Sequence, residues 1–146
     1  MRPIFTIFAL IFTLTLYSCG ETIVDYNEDK EHIEELSDVV YYKRTPFSGT
    51  LKNHYENGQL ERKETFKDGK RDGTHEWYYE NGQLKEKEAF KDGKSNGPYE
   101  SYHEDGQLSS KGTYKDGKGV GPYELYGKDG TVLAKGTWGD GKPMAK

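Results

Sequence analysis

A period of 24 residues runs through the chain and leaves few folds open to it. Asn57-Gly58-Gln59-Leu60 returns as Asn81-Gly82-Gln83-Leu84, Asp105-Gly106-Gln107-Leu108 and Asp129-Gly130-Thr131-Val132. Lys67-Asp68-Gly69-Lys70 returns in the same step as Lys91-Asp92-Gly93-Lys94, Lys115-Asp116-Gly117-Lys118 and Gly139-Asp140-Gly141-Lys142. Two more columns keep phase: Gly49, Gly73, Gly97 and Gly121, and the aromatic Phe66, Phe90, Tyr114 and Trp138. A fixed period of this size means one supersecondary unit repeated, each copy burying its apolar side against the next. Leu36 and Tyr42 stand one period before Leu60 and Phe66, which predicts a half repeat over residues 36–45 whose strand opens the sheet.

The unit reads as a β-hairpin. Asn-Gly and Asp-Gly are the strongest signals for a two-residue type I′ turn, which needs positive φ at both central positions. Between the turns lie short segments rich in Tyr, Phe, Thr and Trp, the composition of strands. The chain has 12 Tyr, 6 Phe and 2 Trp, too many rings for a disordered chain, but only 32% hydrophobic residues, too few for a thick two-layer core. The expectation is an all-β protein: an elongated antiparallel β-meander of about nine strands built from tandem hairpins.

A two-residue turn at Asp105-Gly106 sets a testable register. Glu104 then faces Gln107, His103 faces Leu108, Tyr102 faces Ser109, Ser101 faces Ser110, Glu100 faces Lys111 and Tyr99 faces Gly112. The same register places Glu76 opposite Lys87 and Glu124 opposite Lys135, cross-strand ion pairs that each contribute roughly 0.2–1 kcal/mol. The first repeat breaks this pattern, with Lys52 opposite Lys63. One face becomes aromatic and apolar, carrying Tyr99, His103, Tyr114, Tyr123, Leu125 and Trp138, with Tyr99 and Tyr123 laid over the strand glycines Gly112 and Gly136. The other face is charged around a line of Tyr78, Tyr102 and Tyr126.

The N-terminus has a different character. Residues 1–18 carry Arg2 and then an unbroken apolar run, a signal-peptide pattern too short to serve comfortably as a membrane span. The single cysteine, Cys19, ends that run. Residues 20–38 hold eight acids against Lys30, whereas residues 39–146 hold 17 acids against 19 bases. Residues 19–35 are therefore expected to be an acidic flexible tether, followed by the repeat domain over 36–142 and a tail over 143–146. The near-neutral repeats argue against a nucleic-acid partner, which would require a basic stripe.

Two resemblances follow from these residues. Leu16-Tyr17-Ser18-Cys19 resembles the lipobox of bacterial lipoproteins. That resemblance implies cleavage before Cys19 and acylation of its sulfur, with each buried CH₂ of the acyl chains contributing about 0.8 kcal/mol of membrane anchoring. Tyr78–Gly97 and Tyr102–Gly121 resemble the bacterial MORN-variant repeat, and tandem copies resemble the YwqK-type antitoxin family. That likeness implies a non-catalytic scaffold or binding surface in an elongated antiparallel sheet, and supplies no catalytic residues.

No chemistry-bearing constellation competes with a binding role. His32, His54, His75 and His103 form no metal-ligand spacing, and no phosphate-cradling glycine loop precedes a helix. No cofactor, metal or enzymatic activity is expected. The binding-surface candidates are Trp77, Tyr79, Tyr99, His103, Tyr114, Tyr123 and Trp138, because Tyr and Trp are favoured at interfaces. The expected partners are a protein at the cell envelope and the lipid bilayer through acylated Cys19. A cell-wall or polysaccharide ligand stacked on the rings is the alternative.

Overall fold

The computed structural model describes residues 21–139 and 141–144. The signal-peptide segment, Cys19 and the last two residues lie outside the described residues. The described residues begin with a short strand, β1 (Ile23–Asp25), one helical turn, α1 (Tyr26–Asp29), and a 3₁₀ turn over Lys30–His32. A small sheet follows, made of β2 (Ile33–Leu36), β3 (Val39–Tyr42) and β4 (Thr45–Pro46) in that order. The repeats supply β5 (Gly49–His54), β6 (Leu60–Lys67), β7 (Lys70–Arg71), β8 (Gly73–Tyr78) and β9 (Leu84–Lys91). They continue with β10 (Lys94–Tyr102), β11 (Leu108–Lys115), β12 (Lys118–Tyr126), β13 (Val132–Gly139) and β14 (Lys142–Pro143). From β5 onward each strand pairs antiparallel with the next, as the hairpin period predicts, apart from the short β7, which pairs only with β6.

The two turn types turn out to differ. At the Asp-Gly turns both central residues take positive φ, Asp68 at 50° and Gly69 at 78°, with Lys67 opposite Lys70, so these are two-residue I′ turns as expected. At Asp105-Gly106 only Gly106 has positive φ, 84°. Asp105 Oδ1 accepts from the Gln107 N–H at 3.0 Å, and the Gly106 N–H donates to the His103 carbonyl at 2.8 Å. That local bond holds the aspartate out of the left-handed region, so the loop has three residues and glycine alone takes the left-handed position. Tyr102 then pairs with Leu108 and Ser101 with Ser110, leaving Ser109 as an extra, bulged residue. The bulge restores the expected register from Ser101 back to Tyr99 opposite Gly112, while the pairs nearest the turn are not formed.

The acidic segment is folded where a tether was expected. β1 pairs parallel with β5, Val24 facing Leu51, the one parallel pair among the described residues. Residues 36–45 do not open the main sheet. They form the small sheet through two more turns of positive φ, Ser37-Asp38 and Lys43-Arg44, which carry no glycine to announce them. The apolar residues of these two segments explain this: Val24, Tyr26, Ile33, Val40 and Tyr42 pack with Phe47, Leu51 and Phe66 into the hydrophobic core. Backbone bonds seat the small sheet on the first Asp-Gly turn, the Val40 N–H on the Gly69 carbonyl and the Gly69 N–H on the Phe47 carbonyl. The expected tail is also bonded, since Pro143 pairs with Trp138 and the Met144 N–H donates to the Thr137 carbonyl.

The core is therefore at one end. β10–β13 contact chiefly their neighbours in the sheet, and among the described residues no second layer covers them.

Candidate functional site

The seven aromatic candidates are all half-buried, and the structure divides them by role. Tyr99 and Tyr114 pack edge to face at 5.6 Å, and Tyr123 and Trp138 pack with tilted rings at 4.8 Å. Trp77 packs on the His75 ring at 5.9 Å. Tyr123 lies over Gly136, where an added Cβ would stand 2.6 Å from the ring. Tyr99 leans away from Gly112 instead and donates its hydroxyl to Glu86 at 3.1 Å. Trp138 covers Gly119 of the neighbouring strand.

Tyr79 and His103 tie one repeat to the next. The Tyr55 hydroxyl donates to the Tyr78 carbonyl at 2.7 Å, the Tyr79 hydroxyl to the Tyr102 carbonyl at 2.8 Å, and the His103 Nε2 proton to the Tyr126 carbonyl at 3.1 Å. Asn57 and Asn81 make the parallel bonds to the Glu80 and Glu104 carbonyls. In the last repeat the same columns hold Gly127, Asp129 and Thr131, and Asp129 bonds Thr131 within its own loop. Groups that reach forward are replaced there by groups satisfied locally, as a terminal repeat requires. Replacing Tyr79 with phenylalanine strands the Tyr102 carbonyl, and we expect a loss of about 1 kcal/mol in denaturant unfolding with the fold intact.

The opposite face carries a charge ladder that crosses repeats as well as hairpins. Lys63, Glu76, Lys87, Glu100, Lys111, Glu124 and Lys135 stand in register on successive strands. Lys87 reaches Glu76 at 3.5 Å, while Lys111 and Lys135 both reach Glu124, at 3.0 and 3.1 Å. Tyr126, Lys111 and Lys135 around Glu124 hold its carboxyl down at about 2. Glu100 accepts from the Tyr102 hydroxyl at 2.8 Å, since Lys111 turns to Glu124.

Sequence reading missed a polar cluster on the aromatic face. Glu64 is 2% exposed and His75 is fully buried. Arg71, Arg62 and His75 Nδ1 approach the Glu64 carboxylate at 3.2, 3.5 and 3.6 Å. His75 Nε2 lies 2.9 Å from the Thr65 carbonyl and must donate to it, so Nδ1 is the nitrogen turned to Glu64. The signal was present: Glu64 occupies the column of Glu88, Gly112 and Gly136, a charge on the face otherwise given to rings. Beside this cluster, between the small sheet and the first repeat, is a cleft of about 640 Å³.

Three consecutive segments, residues 48–68, 71–92 and 95–116, match the MORN repeat variant. The likeness is to those three repeats. Comparison with curated proteins gave no match. MORN repeats generally mediate binding or scaffolding. The fourth hairpin, beyond the matched segments, keeps the same three-residue turn, Gly127 and Gly130 repeating the bonds of His103 and Gly106. Among the described residues no cluster of His, Cys, Asp or Glu is arranged to hold a metal, and no helix is long and apolar enough to cross a membrane.

The repeats make stability depend on pH at both ends. Burial and the neighbouring Glu86 push the Tyr99 hydroxyl up to about 12, and burial with Glu76 does the same to Tyr78. The folded state keeps protons that the unfolded chain loses near the ordinary tyrosine value of about 10, so stability falls as pH rises from there toward 12. Burial alone would raise Glu64, but His75, Arg62 and Arg71 outweigh it and hold the carboxyl below its usual value. Its contribution is present above the ordinary glutamate range and is lost as pH falls through the lowered value. Melting temperature against pH should show both limbs, with Tyr99→Phe flattening the alkaline one.

Proposed function

We propose that the chain is a non-catalytic binding module that holds a partner protein on the uncovered aromatic face of its third and fourth repeats. The observation that carries this reading is the contrast between the two ends of that face. Over the first repeat it is closed by the small sheet. Over β12 and β13 it lies open, with Leu125 41% exposed beside Tyr123 and Ala134. An uncovered apolar strip on a sheet cross-tied between repeats is a preorganised platform, which lowers the ordering cost of association. The paired rings favour a protein over a polysaccharide, since edge-to-face packing of Tyr99 on Tyr114 leaves few flat ring faces for sugar stacking.

Export and anchoring through acylated Cys19 are part of the proposal. Only residues 20–22 separate Cys19 from β1, so an acylated chain would hold β1 and the strand it pairs with close to the bilayer. An immunity-like role, with a toxin as the partner, is its narrower form. A photo-crosslinking side chain at Leu125, introduced in the native cell, should capture a discrete partner, whereas one at Lys111 on the charged face should not. Equal capture from both faces, or none from Leu125, would count against the reading.

A further inference from the structure

We propose that the cleft between the small sheet and the first repeat binds the carboxylate of a ligand that has an apolar or aromatic body. One buried carboxylate, Glu64, is shared by two guanidinium groups, Arg62 and Arg71, and the floor is left with a surplus positive charge. Both arginines remain accessible, with side chains 32% and 44% exposed, while Glu64 is sealed behind them. Each guanidinium is also held by a ring, Arg62 at 5.5 Å from Tyr26 and Arg71 at 5.6 Å from Phe90. Planar forks fixed in this way are set up for bidentate recognition of a carboxylate. The cluster is not closed on itself: the Arg62 Nε–H is buried with no hydrogen-bond partner among the described residues. Native polar clusters seldom leave such capacity unused.

The remaining lining sets the rest of the ligand. Tyr26, Ile33, Val40, Leu51 and Phe66 form apolar walls, and the volume of about 640 Å³ is in the range of small-molecule sites. The rim has Lys70 and Lys94 against Glu35, Asp38 and Asp92, one net negative charge that offsets the surplus over the cleft as a whole and leaves the positive charge concentrated at the two guanidinium groups of the floor. A single negative charge is balanced by the floor, whereas a phosphate monoester, with nearly two charges, is repelled by the acidic rim.

The test uses four probes on the intact chain at neutral pH: N-acetylphenylalanine, its neutral amide, phenyl phosphate and phenethylamine. Calorimetry should find N-acetylphenylalanine bound at least about tenfold more tightly than the amide, with phenyl phosphate weaker and phenethylamine unbound. Arg71→Gln and Arg62→Gln should each weaken N-acetylphenylalanine by at least about tenfold while far-UV circular dichroism is unchanged. Absence of binding up to about 10 mM, equal binding of the amide, or preference for the amine would overturn the proposal. Tighter binding of phenyl phosphate would overturn it in favour of a phosphoryl ligand. The probe series needs no variant to fold, so the outcome stands even where an arginine substitution unfolds the chain.

Discussion

Replacing Gly69 with alanine is expected to destabilise the protein by about 2–4 kcal/mol, while the same replacement at Gly117 costs only about 1 kcal/mol. The two glycines occupy the same position of the same I′ turn, with φ of 78° and 80°. Each substitution pays the left-handed strain of an L residue, roughly 1–2 kcal/mol. Their surroundings differ. A Cβ on Gly117 meets nothing within 4 Å, whereas one on Gly69 would stand 2.3 Å from Val39 Cγ1 and 2.8 Å from the Val40 carbonyl oxygen. Alanine at Gly69 must therefore push the small sheet off the repeat, breaking the Val40 and Phe47 bonds that seat it. Urea midpoints of the two variants measure this directly. Equal losses at both positions would mean that the small sheet does not rest on that turn.

The second large effect is expected at Phe66, where alanine should cost about 3–5 kcal/mol. Phe66 is 6% exposed and sits between Phe47 at 5.9 Å and His75 at 5.7 Å, in a row of rings that runs from Tyr42 to Phe90. Its removal leaves a cavity where the small sheet meets the main one, and loosens the cluster around Glu64 as well. Tyr114, in the same repeat column, is half-buried against one ring, so alanine there should cost less than half as much. Guanidinium denaturation of the pair checks the ordering, and a smaller loss at Phe66 than at Tyr114 would place the core elsewhere.

The repeated part of this fold was legible because each repeat states its own turns, and the sheet follows from them. The I′ turns could be read from Asp-Gly, since sterics leave few residues tolerant of two positive φ angles. The other turn was misread because Asn57, Asn81, Asp105 and Asp129 bond the backbone two residues on, a local choice that the dipeptide alone does not reveal. The acidic segment looked like a tether because Val24, Tyr26 and Ile33 are scattered among eight acids and gain partners such as Leu51 and Phe66 only from far along the chain. The Glu64 cluster was hidden for a similar reason. Arg62, Glu64, Arg71 and His75 are close in sequence, but only the strand register brings them together and buries Glu64 and His75. The aromatic columns were correctly found, yet the sequence does not separate rings that pack on a neighbour, such as Trp138 on Gly119, from rings that bond a carbonyl, such as Tyr79.

The account rests on repeats that interlock through the backbone at a constant offset. The N–H of Gly69 donates to the Phe47 carbonyl, that of Gly93 to Arg71 and that of Gly117 to Ser95, at 2.7, 2.8 and 2.9 Å. Scalar couplings across hydrogen bonds, read by long-range NMR between each glycine nitrogen and the carbonyl carbon of its partner, test this most directly. All three couplings should appear, with slow exchange of the three turn amides. Fast exchange at Gly93 and Gly117 with no coupling to Arg71 or Ser95 would contradict the interlocked sheet.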